Sequence, residues 1–94
     1  MHILLTNDDG IFAPGLAALY KELISLWDVT VVAPADSKSG ASHSITIHQP
    51  LMCNEVDIHD QFTGYSVHGS PADCVKLAFM QLCERPVDLV VAGI

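Results

Sequence analysis

The chain has 94 residues, 50% of them hydrophobic, which is enough for one small core and too little for two domains. Its formal net charge is -7, and its four cations do not cluster. Duplex nucleic acid is therefore excluded as an expected partner, because phosphate backbones are held by grouped Lys and Arg side chains. A phosphate substrate would need another source of positive charge, and a metal ion on carboxylates is the usual solution.

The first third of the chain has the pattern of a βαβ unit. Residues 2–6 form a short apolar run that predicts a buried strand, and residues 29–33 predict a second one, ended by Pro34. Between them, Pro14 starts a predicted helix. Its apolar stripe consists of Leu16, Leu19, Tyr20, Leu23, Ile24 and Trp27. Continuously apolar strands joined in this way favour a parallel sheet with a right-handed crossover.

The middle of the chain has a weaker pattern. Alternating apolar and polar residues predict a half-exposed strand over residues 44–50. The polar stretch at residues 54–61 predicts a turn at the end of a hairpin, and residues 65–68 predict another short strand.

A helix start and a last strand follow. Ser70 fits the N-cap, Pro71 the first helical position, and Asp73 the third, where its charge meets the helix dipole. The predicted buried face of this helix consists of Val75, Ala78, Phe79 and Leu82. Residues 87–92 then predict a third buried strand.

Two adjacent carboxylates, Asp8 and Asp9, follow the first predicted strand. In open α/β sheets, ligands bind outside the carboxyl ends of the strands. Adjacent carboxylates repel each other, so keeping both ionised requires a nearby cation. Such oxygen ligands suit Mg²⁺, Mn²⁺ or Ca²⁺ rather than zinc. The alternative is that residues 7–10 form only a turn, since each of them favours turns.

The loop after the second strand carries small residues that suit an anion. If the first two strands are neighbours, Ser39 lies beside the acidic pair. Gly40 and Ala41 would let backbone N–H groups approach a phosphate. The alternative is an ordinary surface loop. His43 is the histidine closest to this predicted site and is a candidate helper, although a lone loop histidine is more often solvated.

Several segments together resemble the N-terminal part of the SurE family (survival protein E, a nucleotidase family). They are residues 3–15, with Asn7-Asp8-Asp9-Gly10 and Ala13-Pro14-Gly15, residues 31–34, residues 39–46, residues 69–75 and residues 87–94. They cover most of the chain in the family's order. Small departures occur, since Lys38 stands where Arg is frequent and Ser70 where Thr is common.

The resemblance implies a fold and an activity. The fold would be a Rossmann-like, three-layer α/β sandwich around a parallel sheet, with residues 1–94 as the N-terminal part of a single domain. The activity would be metal-dependent hydrolysis of nucleoside monophosphates by a 5′-nucleotidase. Action on 3′-nucleotides and on short polyphosphate would be possible additions. The complete protein would be a homodimer or homotetramer.

The resemblance also implies roles for particular residues. One divalent cation per subunit, Mg²⁺ or Mn²⁺, would be held by Asp8, Asp9, Ser39 and an Asn just beyond Ile94. One of the two Asp residues would also take the proton of the attacking water. The candidate phosphate-binding residues are Asn7, Ser39, Gly40 and Ala41.

Two other functional classes stay open on the residues alone. A receiver-like signalling module also has an acidic pair that binds Mg²⁺, but it needs a phosphoacceptor Asp where this chain has Ala92-Gly93-Ile94. A non-catalytic nucleotide-binding protein is expected to have a GxGxxG turn after the first strand. The glycines there, Gly10 and Gly15, have the wrong spacing.

Cysteine usage and the apolar runs indicate the compartment. The three cysteines form no CxxC pair, which favours reduced thiols of a cytoplasmic protein. No apolar run approaches the roughly 20 residues needed to cross a bilayer, so we expect no membrane contact. Because the last strand is predicted to be buried and the metal site is incomplete, we expect these residues to be an inactive fragment on their own.

Overall fold

The computed structural model describes residues 1–37 and 53–93, which form one sheet with helices on both faces. The strand order is β3-β4-β2-β1-β5. The strands are β1 (His2–Asn7), β2 (Asp28–Pro34), β3 (Cys53–Ile58), β4 (Phe62–Val67) and β5 (Leu89–Gly93). β1 pairs in parallel with β2 and β5, β2 pairs in parallel with β4, and β3 is antiparallel to β4. The predicted three-layer α/β architecture is confirmed, with a mixed sheet.

Helix α1 (Pro14–Ile24) covers one face of the sheet and begins at the predicted proline. Leu16 is fully buried in a cluster whose other members are Leu5, Ile11, Val31, Ala33 and Ile58. The predicted apolar stripe was too long, because Ile24 is 42% and Trp27 36% exposed. Trp27 lies beyond the helix, in a turn where its N–H group donates to Leu23 O at 3.0 Å.

Helix α2 (Pro71–Leu77) and the π-helical turn after it (Ala78–Leu82) cover the opposite face. Cys74 and Ala78 are fully buried there against Leu4, Val32 and Val67. The prediction that Phe79 faces the core is wrong, since this residue is 53% exposed. A π-helical turn has a different angular spacing from an α-helix, so a face extrapolated at α-helical spacing no longer applies.

β3 and β4 form a hairpin where the sequence predicted a longer turn over residues 54–61. Most of that stretch belongs to β3 (Cys53–Ile58), and the turn is limited to residues 59–61, in which His59 and Asp60 have φ angles of 52° and 56°. β3 lies at the edge of the described sheet, and its exposed polar residues made it look like a loop. The strand predicted near residues 65–68 is confirmed within β4, whereas the one predicted at residues 44–50 lies outside the described residues.

β5 is an edge strand of the described sheet, although its apolar sequence predicted a buried one. Leu89 is 47% and Val90 39% exposed. Within the described residues, β5 pairs with β1 alone, so its outer edge and part of both faces are open. An apolar run therefore identified the strand correctly but not its position in the sheet.

No helix in the described part of the chain is long and apolar enough to cross a membrane. Cys53, Cys74 and Cys83 are all free thiols, as predicted.

Candidate functional site

The carboxyl ends of four parallel strands meet at one edge of the sheet. Asn7 at the end of β1 pairs with Gly93 at the end of β5. Pro34 at the end of β2 pairs with Val67 at the end of β4. The loops that leave these strands therefore lie side by side, in the place where open α/β sheets bind ligands. We refer to this as the carboxyl edge of the sheet.

The loop after β1 is held by the side chain of Asn7, which is 1% exposed. Asn7 Nδ2 donates to Gly10 O at 2.8 Å, and Gly10 N donates to Asn7 Oδ1 at 3.1 Å. These two bonds close a tight turn around Asp8 and Asp9, both of which are exposed. The sequence predicted the acidic pair at this position, and the structure shows the turn that presents it to solvent.

The two hydrogen bonds use one Nδ2 hydrogen and one lone pair of Oδ1, so the Asn7 side chain positions the loop, and its phosphate-binding role stays a prediction. The sequence interpretation gave Asn7 a phosphate-binding role and did not anticipate this one. An asparagine followed three residues later by a glycine was the available signal, since Asn side chains commonly bond the backbone of turns.

The loops after β1 and β2 are in direct contact. Ile11 N donates to Pro34 O at 2.7 Å, and the backbone of Gly10 packs against that of Asp36. Because Ser39 follows Asp36 by three residues, the chain leaves the described part of this loop beside the acidic pair. The predicted ligand Ser39, the phosphate-binding Gly40 and Ala41, and the helper His43 lie outside the described residues.

The loop after β4 forms the next part of the carboxyl edge. Ala35 N donates to Val67 O at 2.8 Å, which joins this loop to the one after β2. Ser70 caps α2 as predicted: Asp73 N donates to Ser70 Oγ at 3.2 Å, and Ser70 N donates to Asp73 Oδ2 at 2.8 Å. A β-carbon on Gly69 would lie 2.8 Å from Asp73 Oδ2, so this glycine permits the cap to close.

The charges near the carboxyl edge are mostly negative in the described part of the chain. Lys21 lies in the last turn of α1, toward the opposite end of the sheet, and Lys76 lies more than one turn beyond the Ser70 cap of α2. Arg85 donates to Asp28 Oδ2 at 3.0 Å, in an exposed ion pair next to the start of β2. Basic side chains in these positions do not offset the acidic pair.

The donor chemistry of the acidic pair fits a hard divalent cation. Asp8 and Asp9 offer exposed carboxylate oxygens, the ligand type that Mg²⁺ and Mn²⁺ prefer. Residues 1–37 and 53–93 contain no group of three or more His, Cys, Asp or Glu side chains that could hold a metal. The described residues therefore supply two donors of a candidate site and not a complete ligand set.

Comparisons with known proteins agree with this fold. The family model described as "Survival protein SurE" matches residues 3–94. A crystal structure of the Sure protein from Aquifex aeolicus has a TM-score of 0.79 and 44% identity, covering 100% of this chain and 37% of that one.

Curated relatives cover the whole chain as well. A protein named 5'-nucleotidase SurE from Syntrophus aciditrophicus is 52% identical over 94 residues, covering 100% of this chain and 35% of the relative. One of the same name from Desulfitobacterium hafniense is 53% identical over 95 residues, covering 100% of this chain and 38% of the relative. The chain thus spans somewhat more than a third of the length of these relatives.

Proposed function

Because the chain belongs to the SurE family, we propose that it is the N-terminal part of a single nucleotidase domain, residues 1–94, whose complete protein hydrolyses nucleoside monophosphates. Its relatives are named 5'-nucleotidase SurE and extend well beyond the matched segment. The complete protein would release inorganic phosphate from a 5′-nucleotide, with 3′-nucleotides and short polyphosphate as further candidate substrates.

One observation carries this proposal: the Asn7–Gly10 turn presents two carboxylates at the carboxyl edge of a parallel sheet. The turn is closed by two hydrogen bonds of 2.8 and 3.1 Å, and both Asp8 and Asp9 are exposed at it. A structural turn alone would not need two adjacent negative charges, which repel each other. A site that binds a cation does need them.

The ligand set of the proposal combines described and undescribed residues. Asp8 and Asp9 would hold one divalent cation, Mg²⁺ or Mn²⁺, with Ser39 as a third ligand and an Asn just beyond Ile94 as a fourth. When bound, such a cation neutralises phosphate charge and lowers the pKa of an adjacent water. The contact between Gly10 and Asp36 supports the role of Ser39, since it brings the loop after β2 against the acidic pair.

The chain's own groups would do the rest of the chemistry. One carboxylate of the acidic pair would accept the proton of the attacking water. Backbone N–H groups at Ser39, Gly40 and Ala41 would hold the phosphate oxygens as negative charge develops on them. His43 would assist, and Asn7 would act by keeping the loop in place.

Assembly and compartment belong to the same proposal. The complete protein would be a homodimer or homotetramer in the cytoplasm, where thiols remain reduced. The three free cysteines of the described structure support a reducing compartment.

The test is phosphate release by purified full-length protein from AMP, 3′-AMP and a short polyphosphate. Each substrate is assayed with Mg²⁺, with Mn²⁺ and with excess chelator. We expect turnover of AMP with at least one of the two metals and none with chelator. Calorimetric titration of Mn²⁺ into the metal-free protein gives a readout that is independent of activity. Turnover of AMP that survives the chelator would contradict the metal-dependent part of the proposal.

A further inference from the structure

Phe12 is an exposed aromatic residue on the same loop as the acidic pair. It is 49% exposed, whereas its neighbour Ile11 is fully buried. The backbone is held on both sides of Phe12. Ile11 N donates to Pro34 O at 2.7 Å, and Ala13 N donates to Gly10 O at 3.1 Å. With Ile11 fixed in the core, Phe12 is kept at the surface.

The turn between β3 and β4 places a second ring against Phe12. The ring centroids of Phe12 and His59 are 6.4 Å apart, and the rings meet edge to face at 77°. His59 Nε2 lies 3.3 Å from Phe12 O, so this nitrogen carries the proton and donates it. The hairpin turn thus braces the loop that carries the acidic pair.

This turn has a left-handed backbone. His59 and Asp60 have φ angles of 52° and 56°, a region in which Asn, Asp and His are enriched among residues other than glycine. This conformation brings His59 to Phe12.

We propose that Phe12, braced by His59, is the surface on which the base of the nucleotide substrate stacks. This inference rests on the proposed function. Phe12 follows Asp9 by three residues, on a loop held by its own hydrogen bonds. Every nucleobase has a π-face, and an exposed aromatic ring is the group that recognises it.

Stacking of this kind predicts a specificity pattern. A phenylalanine ring has no hydrogen-bonding group, so it cannot distinguish one base edge from another. The enzyme would accept all common bases, with purines favoured over pyrimidines because of their larger ring overlap. A sugar phosphate without a base would gain nothing from Phe12.

The experiment compares two substrates in full-length protein with the activating metal: AMP and ribose 5-phosphate, which carries the same phosphomonoester but no base. The variants are Phe12→Ala, Phe12→Leu and Phe12→Tyr. For AMP, we expect Phe12→Ala to lower kcat/KM by about 5- to 100-fold. For ribose 5-phosphate, we expect a change below about twofold. Phe12→Tyr retains the π-face and should restore AMP hydrolysis.

Phe12→Leu protects the test if the alanine variant does not fold. Leucine keeps an apolar contact with His59 but has no aromatic ring, so the same selective loss on AMP is expected. An equal loss on both substrates, or no loss on AMP, in a folded variant overturns the inference and leaves the proposed function standing. A wild-type protein that releases phosphate from neither substrate overturns both.

Discussion

A β-carbon on Gly10 would lie 3.0 Å from the Cα atom of Asp36. At this contact, the backbones of the loops after β1 and β2 touch. Gly10 also has a φ of 115°, which L side chains rarely adopt. The closeness of the two loops that carry the proposed metal ligands therefore depends on the absence of a side chain at this position.

The first prediction is that Gly10→Ala lowers the free energy of unfolding by about 1–3 kcal/mol. The new methyl group meets backbone atoms of Asp36 and the φ angle becomes strained. Urea denaturation of the full-length protein measures the loss. Gly15→Ala is the matched control, because Gly15 is exposed in the first turn of α1, where alanine is favoured by up to about 1 kcal/mol. Equal effects of the two substitutions would contradict the close-contact explanation.

The second prediction concerns the hydrogen bonds of Asn7. Asn7→Ala leaves the N–H and C=O groups of buried Gly10 without their partner, so we expect a loss of about 2 kcal/mol in unfolding free energy. Metal affinity should fall as well, because the turn is no longer closed. Asn7→Asp keeps an acceptor but faces a carboxylate toward Gly10 O, so it should not rescue stability. Calorimetry and denaturation of the same samples give both readouts. An Asn7→Asp variant as stable as wild type would argue against this role of the two Asn7–Gly10 hydrogen bonds.

The third prediction concerns the acidic pair. Asp9→Asn should abolish metal-dependent phosphatase activity in the full-length protein and leave the fold intact or slightly more stable, because two adjacent carboxylates repel without a cation. Asp57→Asn is the control, since Asp57 is an exposed carboxylate on β3 and should be dispensable for turnover. Activity with the metal and thermal unfolding without it are compared for each variant. A fully active Asp9→Asn enzyme would refute the proposed ligand.

The fourth prediction separates the cap of α2 from the metal site. Ser70→Ala removes the acceptor of the Asp73 N–H group and should cost about 1 kcal/mol of stability. Ser70→Thr retains a capping hydroxyl and should stay close to wild type. The concentration of metal that gives half-maximal activity should be the same in all three proteins. A shift of that concentration in Ser70→Ala would mean that Ser70 belongs to the site.

The fifth prediction concerns Cys74. Burial raises the pKa of this thiol from 9.0 to about 12, although the neighbouring Thr6 hydroxyl lowers it somewhat. The raised pKa and full burial predict that a thiol reagent labels Cys53 and Cys83 first, since both are partly exposed. Timed labelling at neutral pH, with mass spectrometry of the peptides, tests the order. Labelling of Cys74 before the other two would be inconsistent with its burial.

The same pKa has a consequence for stability at high pH. Below about pH 9, the Cys74 thiol is neutral in both the folded and the unfolded chain. As the pH rises from there toward 12, the unfolded chain loses the proton while the folded one keeps it, so stability is lost. Denaturation of wild type and Cys74→Ala at neutral and alkaline pH should show a shallower alkaline decline in the variant. Parallel declines would contradict this contribution.

Local patterns predicted much of this fold because their physical causes are local. The apolar run of β1, Pro14 at the start of α1 and the Ser70 cap each act within a few residues of sequence. β3 was missed because an edge strand can carry as many polar residues as a loop. The position of β5 was missed because an apolar strand does not reveal how many neighbours it has.

The site shows the same limit. Sequence placed Asp8 and Asp9 correctly at the end of β1, and their role as ligands remains a prediction. The contact of Gly10 with Asp36 and that of Phe12 with His59 join residues that are far apart in sequence. No periodicity or turn preference predicts such contacts, since they depend on how the loops and the hairpin pack together.

The position of β1 has a consequence for synthesis on the ribosome. Residues 2–7 emerge well before their second neighbour, β5, which comes from residues 89–93. Until that segment leaves the exit tunnel, Ile3 and Leu5 belong to an open apolar strand edge, which can pair with another nascent chain. We therefore expect the early chain to depend on ribosome-associated chaperones, and premature stops before residue 89 to give aggregates rather than smaller folded units.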